Sequence, residues 1–73
     1  MEEYDQDVVQ KLFNADAHFR LLYEEHQFLE RELSEISEKG YLSPVEELEK
    51  KKMQKLKLAG KDEMDRILRT HQQ

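Results

Sequence analysis

The sequence predicts an all-α fold, an antiparallel two-helix hairpin of the coiled-coil type, on the strength of three observations. Apolar residues recur every three or four positions through the first half of the chain. A glycine followed closely by a serine–proline pair marks one sharp reversal. Only one proline and two glycines occur among 73 residues, so few other positions interrupt a helix. We expect one domain that spans residues 1–73.

The first helix is predicted at about residues 7–39. Its apolar positions follow alternating steps of four and three, which is the seam of a left-handed coiled coil with a single polar member, His26. The seam consists of Val8, Leu12, Ala15, Phe19, Leu22, His26, Leu29, Leu33 and Ile36. Asp16 is a candidate N-cap for a helix that begins at Ala17. The alternative is therefore a break near residues 14–16 that leaves a short extra N-terminal helix.

A turn is predicted at residues 40–43. Gly40 stands where a helix can end in the left-handed conformation, which glycine adopts at little cost. In that arrangement Ile36 and Tyr41 should touch across the helix end. One unbroken helix would instead place Gly40 and Pro44 in its interior, at a cost of ~1 and ~3 kcal/mol.

The second helix is predicted at about residues 44–69. Ser43 is the expected N-cap, Pro44 takes the first helical position, and Glu46 reaches back to the Ser43 amide. The predicted inward stripe consists of Val45, Leu48, Met53, Leu56, Ala59 or Gly60, Met64 and Ile67, with Leu68 beside it. Folding about the turn then pairs Ile36 with Val45, Leu29 with Met53, and His26 with Leu56.

Gly60 costs the second helix about 1 kcal/mol relative to alanine. We expect this cost to be offset by room for a bulky neighbour on the first helix, Phe19 or Tyr23. A glycine that is simply tolerated at the surface is the alternative.

The first helix contains the motif Phe19-x-x-Leu22-x-x-Glu25-His26-x-x-Leu29-x-x-Glu32-Leu33. After the turn follow residues 57–64, with the sequence KLAGKDEM, and the pair Ile67-Leu68. With these motifs the chain resembles the YdcH-like family of short bacterial proteins, over about residues 16–68. The chain differs from the family at Gly60, where leucine is usual. The resemblance implies a helical hairpin and a bacterial origin, and it implies no activity.

We expect no catalytic, cofactor-binding or metal site and no cofactor, and hence not an enzyme. His26 is interpreted as a structural histidine of the seam, with a ligand or pH switch as the alternative. A metal site needs further converging ligands, and His18 is eight residues away while His71 is close to the C-terminus. The chain contains no cysteine, which excludes disulfides and thiolate ligands.

The charge is unevenly distributed along the chain. Residues 1–39 hold 11 acidic and 4 basic side chains and carry −7, whereas residues 40–73 hold 6 acidic and 8 basic ones and carry +2. The second helix contains Lys50, Lys51, Lys52, Lys55, Lys57 and Lys61. Neighbouring acids dilute them, so we expect a solvated face that pairs with the first helix. Nucleic-acid binding through these lysines is the alternative function.

The leading hypothesis is a protein–protein interaction module. Leu21 and Phe28 lie seven residues apart and off the seam, and Val9, Phe13 and Tyr23 also fall outside it. A chain this small needs reinforcement, so we expect these residues to bind a partner or to form a homodimer, a four-helix bundle of two hairpins. The N-terminus lacks the pattern of a signal peptide, and no apolar run is long enough to span a bilayer. We therefore expect a cytoplasmic protein that does not bind membranes.

Overall fold

The computed structural model describes residues 5–71, which form three α-helices. α1 spans Gln6–Ala15, α2 spans Ala17–Ser37 and α3 spans Pro44–His71. Residues 5–71 contain no strand, which confirms the all-α prediction. The predicted domain also includes residues 1–4 and 72–73, which lie outside the described residues.

Asp16 separates α1 from α2. Its backbone is extended, and its Oδ1 accepts hydrogen bonds from the amides of His18 at 2.9 Å and Phe19 at 3.2 Å. Its own amide donates to the carbonyl of Leu12, which closes α1. The chain therefore has a separate N-terminal helix, in agreement with the alternative prediction of a break near residues 14–16. The break is stable because Asp16 accepts hydrogen bonds from amides that would otherwise be unpaired at the start of α2.

The core lies at the end of the molecule where α1 meets the other two helices. Phe19, Met64 and Leu68 have no exposed surface, and Val9 and Leu12 of α1 complete the cluster. Partly buried residues surround it, namely Val8, Phe13, Leu22, Tyr23 and Ile67. α1 thus covers the apolar end of α2 and α3.

α2 ends earlier than predicted. Its last residue is Ser37, and the amide of Lys39 donates to the carbonyl of Ile36 in a tight final turn. Among the described residues no glycine has a positive φ, so the predicted left-handed Gly40 is wrong. Tyr41 is 81% exposed, so its predicted contact with Ile36 is wrong as well. The tighter last turn closes the helix before the chain reaches Gly40, which removes the need for a left-handed residue.

α3 begins as predicted, with a reciprocal capping box. The Glu46 amide donates to Oγ of Ser43 at 3.2 Å, and the Ser43 amide donates to Oε1 of Glu46 at 3.1 Å. Nζ of Lys39 donates to the other carboxylate oxygen of Glu46. The hydrogen bond from Lys39, followed by that from the Ser43 amide, lowers the pKa of Glu46 to about 2.

α2 and α3 run side by side in opposite directions, as three ion pairs show. Lys39 pairs with Glu46 beside the turn, Lys57 Nζ lies 3.8 Å from Glu30 Oε1 farther along, and His18 Nε2 lies 3.9 Å from Glu63 Oε1 near the core. Residue numbers thus fall along α2 as they rise along α3.

The turn-proximal half of α3 is rotated relative to the predicted stripe. Val45 is 65% exposed, Leu48 55% and Leu56 53%, so their predicted burial against α2 is wrong. The inward line is instead Glu46, Lys50, Met53, Lys57, Gly60, Met64 and Leu68. Glu46 and Met64 are 18 residues apart, five turns of helix, and therefore point the same way. The ion pair with Lys39 holds Glu46 and the buried core holds Met64, and these contacts are consistent with the rotation of α3.

Gly60 is partly buried, but it does not make room for an aromatic side chain. A Cβ placed on Gly60 would meet nothing within 4 Å. The prediction that Phe19 or Tyr23 packs into the space above Gly60 is therefore wrong. The alternative, a glycine that the helix simply tolerates, agrees with the structure.

Candidate interaction surface

Large apolar side chains are exposed on α2, in the turn and on α3, outside the buried core. Seven are exposed among residues 5–71, which equals the number of apolar residues in the buried core. The exposed residues are Leu21, Phe28, Tyr41, Val45, Leu48, Leu56 and Leu58. Leu21 and Phe28 were expected at the surface from the sequence. Val45, Leu48 and Leu56 were not, because their spacing had been assigned to the inward stripe of α3.

Three other predicted interaction residues do not belong to this exposed group. Val9 is only 5% exposed, so its prediction as a surface residue is wrong, because the core at the end of α1 contains it. Phe13 and Tyr23 are half-buried and contact each other edge to face, with ring centroids 5.5 Å apart. They attach α1 to α2.

On α2, the exposed apolar residues form a stripe with two acids. Leu21, Glu25, Phe28 and Glu32 follow steps of four, three and four, so they share one side of the helix. Leu21 is 63% exposed and Phe28 is 50% exposed. We call these four residues the α2 stripe.

On α3, a second stripe combines apolar residues with one lysine. Val45 and Leu56 are 11 residues apart, about three turns, and Lys52 and Leu48 lie between them on the same side. Ala59 continues the line and is also exposed. We call Val45, Leu48, Lys52, Leu56 and Ala59 the α3 stripe.

The two stripes lie on the same face of the α2–α3 pair. His18 lies seven residues before Glu25, and Glu63 lies seven residues after Leu56, so each is two turns from a member of its stripe and on the same side. Because His18 contacts Glu63 at 3.9 Å, these two sides meet. We call the surface formed by the two stripes the open face.

α1 packs on the opposite flank of α2. Its Phe13 contacts Tyr23, and Arg20 lies over the Phe13 ring at 6.0 Å. Tyr23 and Glu25 are two positions apart and so project about 200° apart around the helix. These contacts of α1 leave the α2 stripe accessible.

His26 is buried within the α2–α3 pair, as expected for a structural residue. It is 6% exposed, and its Nε2 lies 3.0 Å from Oε1 of Glu30, the same oxygen that Lys57 approaches from α3. Within the described part of the chain its Nδ1 is buried with no hydrogen-bond partner. Leu56, its predicted neighbour, is 53% exposed, so the polar link from His26 to α3 runs through Glu30 and Lys57. Residues 5–71 contain no group of three His, Cys, Asp or Glu side chains that can hold a metal ion.

The lysines of α3 do not form one basic face. Lys57 lies near Glu30, Lys61 contacts Asp65 at 3.2 Å, and Lys50 is half-buried on the inward line. Lys51, Lys52 and Lys55 are exposed within about 100° of one another on the outer side of the helix, where the exposed acids Glu47 and Asp62 accompany them. This distribution gives no specific support to nucleic-acid binding, which needs dense positive charge along one surface.

Comparison with known proteins adds one match. A family model described as a protein of unknown function (DUF465) matches residues 19–68, in agreement with the resemblance to the YdcH-like family. No curated protein and no solved structure matches the chain. Within residues 5–71 no helix is both long enough and apolar enough to cross a bilayer.

Proposed function

Because the chain belongs to the DUF465 family, whose description assigns no activity, we propose that it is a non-enzymatic protein–protein interaction module that associates with itself through the open face. In this proposal the α2–α3 pair is an antiparallel hairpin of the coiled-coil type, and two such hairpins form a homodimeric four-helix bundle. The cytoplasmic location expected from the sequence stays a prediction.

The exposed apolar residues of the open face are the observation that carries this proposal. Scattered apolar residues are normal on a protein surface, and a contiguous group rimmed by polar residues is typical of an interaction site. Leu21 and Phe28 of α2 and Val45, Leu48 and Leu56 of α3 share one face and are all at least half exposed. Lysines and glutamates flank them, as at the rim of a protein interface.

The small size of the chain supports the same proposal. Chains below about 80 residues usually need a disulfide, a metal or an oligomer to reinforce one core. The sequence has no cysteine, and the core cluster lies near α1 while the turn-proximal half of α3 buries no large apolar residue. A second copy against the open face would shield that half from water.

The size of the molecule is compatible with a dimer of this kind. The long and middle dimensions of the molecule are 45 and 21 Å. A standard protein interface buries about 800 Å² on each partner. One broad side of the molecule is comparable in extent with such an interface.

Sedimentation equilibrium of the full chain at micromolar concentrations tests self-association. The proposal predicts a monomer–dimer equilibrium and a melting temperature that rises with protein concentration, because dissociation is linked to unfolding. A folded monomer whose melting is independent of concentration would contradict it.

A further inference from the structure

The charges of the two stripes define how two copies of the chain can meet. α2 carries two basic and five acidic residues, a net charge of −3, and α3 carries eight basic and six acidic residues, a net charge of +2. The α2 stripe contributes Glu25 and Glu32 to the open face, whereas the α3 stripe contributes Lys52. A dimer that places unlike helices against each other brings these opposite charges together.

Two symmetric arrangements can bury the open face. A two-fold axis perpendicular to the helices places α2 on α2 and α3 on α3, which brings acid near acid. A two-fold axis parallel to the helices places α2 of each copy on α3 of the other. The second arrangement matches negative with positive charge twice, once at each of the two equivalent contacts.

We propose that two copies dimerise about an axis parallel to the helices, so that each α2 stripe packs on the α3 stripe of the partner subunit. This proposal rests on the self-association proposed above and specifies its geometry. The occupant of the open face is thus a second copy of this chain, which supplies both an apolar stripe of similar length and the complementary charge.

The register follows from contacts within one chain. An axis parallel to the helices leaves the height of every residue unchanged, so residues level with each other within one copy are also level between copies. In the three ion pairs that join α3 to α2 or to a residue just beyond its end, the two residue numbers add to 81, 85 and 87, about 84 on average. Phe28 is then level with Leu56 of the partner subunit, and Glu32 is level with Lys52 of the partner subunit.

A charge exchange between two variants tests this pairing. E32K places lysine against lysine at both contacts of its homodimer, and K52E places glutamate against glutamate at both. Each variant alone should dimerise at least about tenfold more weakly than the wild type. An equimolar mixture should form a heterodimer in which both contacts are again oppositely charged, with an affinity within about threefold of the wild type.

Matched controls carry the same charge changes away from the open face. K11E lies on α1, which is not part of the open face, and E47K lies on α3 at about 100° or more from every residue of the α3 stripe. Both are exposed in the folded chain. These controls should dimerise as the wild type does, and mixing them should change nothing.

Sedimentation equilibrium gives the affinities, and native mass spectrometry of an isotope-labelled mixture identifies the heterodimer. If E32K is unfolded by circular dichroism, E32Q replaces it and should weaken the dimer about threefold. A wild-type monomer would overturn the proposed self-association itself. A wild-type dimer that tolerates both charge changes, or whose variants do not recover on mixing, would overturn only the arrangement of unlike helices.

Discussion

Replacing Phe28 by alanine is expected to weaken self-association while leaving the subunit folded. The side chain is 50% exposed in the single chain, so about half of its surface is available to an interface. Complete burial of a phenylalanine stabilises by about 2 kcal/mol relative to exposure, which leaves about 1 kcal/mol for each copy. A symmetric dimer contains two copies of Phe28, so Phe28→Ala should cost about 2 kcal/mol and raise the dissociation constant roughly 30-fold.

Phe19 is a matched control of the same chemistry at the opposite extreme of burial. It has no exposed surface and contributes to the only large core cluster in residues 5–71. Phe19→Ala should cost about 3–5 kcal/mol in the free energy of unfolding, because a cavity forms in addition to the lost burial. That is a large share of the stability of a small domain, so this variant should be largely unfolded.

Circular dichroism and sedimentation equilibrium on both variants separate the two effects. Phe28→Ala should retain the helical signal at high protein concentration and show the weaker dimer. If Phe28→Ala dimerises like the wild type, or unfolds as extensively as Phe19→Ala, then Phe28 does not lie in an interface between copies.

Three further predictions concern the subunit itself. Gly60→Ala should raise the free energy of unfolding by about 0.5–1 kcal/mol, and Gly40→Ala by about 0.4–1 kcal/mol. The reason is that neither added Cβ meets an atom within 4 Å and neither glycine has a positive φ. A lower free energy of unfolding for either variant in a urea titration would contradict the backbone conformation at that glycine. His26→Leu should keep or raise the melting temperature, because it removes a buried ring nitrogen that has no hydrogen-bond partner in the described chain. A lower melting temperature would mean that the contact of His26 with Glu30 stabilises the fold by more than the unpaired nitrogen costs. Lys39 and the Ser43 amide hold the pKa of Glu46 at about 2, below its usual 4.5. The ionised carboxylate therefore contributes to the free energy of unfolding above pH 4.5, and this contribution is lost as the pH falls toward 2. Glu46→Gln should reduce the pH dependence of stability between pH 4.5 and 2, and an unchanged dependence in urea titrations would refute this.

Features determined by neighbouring residues were predictable from the sequence. The N-cap at Asp16 and the capping box between Ser43 and Glu46 depend on side chains that reach amides within three positions, so the residue types alone indicate them. The positions of His26 and Phe19 on the buried side of α2 followed from a regular period.

The rotation of α3 was not predictable in the same way. Its apolar residues are compatible with two inward faces, one through Val45, Leu48 and Leu56 and the other through Met53 and Met64. The choice depends on tertiary contacts, namely the core around Met64 and the link from Lys39 to Glu46, which no local pattern contains. The charged residues that interrupt the first face, Glu49 and Lys52, were the available signal that it is accessible to solvent.

The end of α2 shows a related limit. A glycine soon after a helix is compatible with several backbone conformations, of which the left-handed one is only the most characteristic. The hydrogen bond from Lys39 to Ile36 ends the helix before Gly40, and this choice depends on the geometry of the last turn. Because α2 ends in this way, Tyr41 does not pack against the helix end and stays exposed.

Isotope-filtered NOE spectroscopy on an equimolar mixture of ¹³C-labelled and unlabelled chains detects only contacts between copies, and it therefore distinguishes the two dimer arrangements. In the dimer with its axis parallel to the helices, the Phe28 ring should show intermolecular NOEs to the methyl groups of Leu56. A dimer that instead shows intermolecular NOEs from Phe28 to Phe28, or a chain that shows no intermolecular NOE at millimolar concentration, would contradict this arrangement.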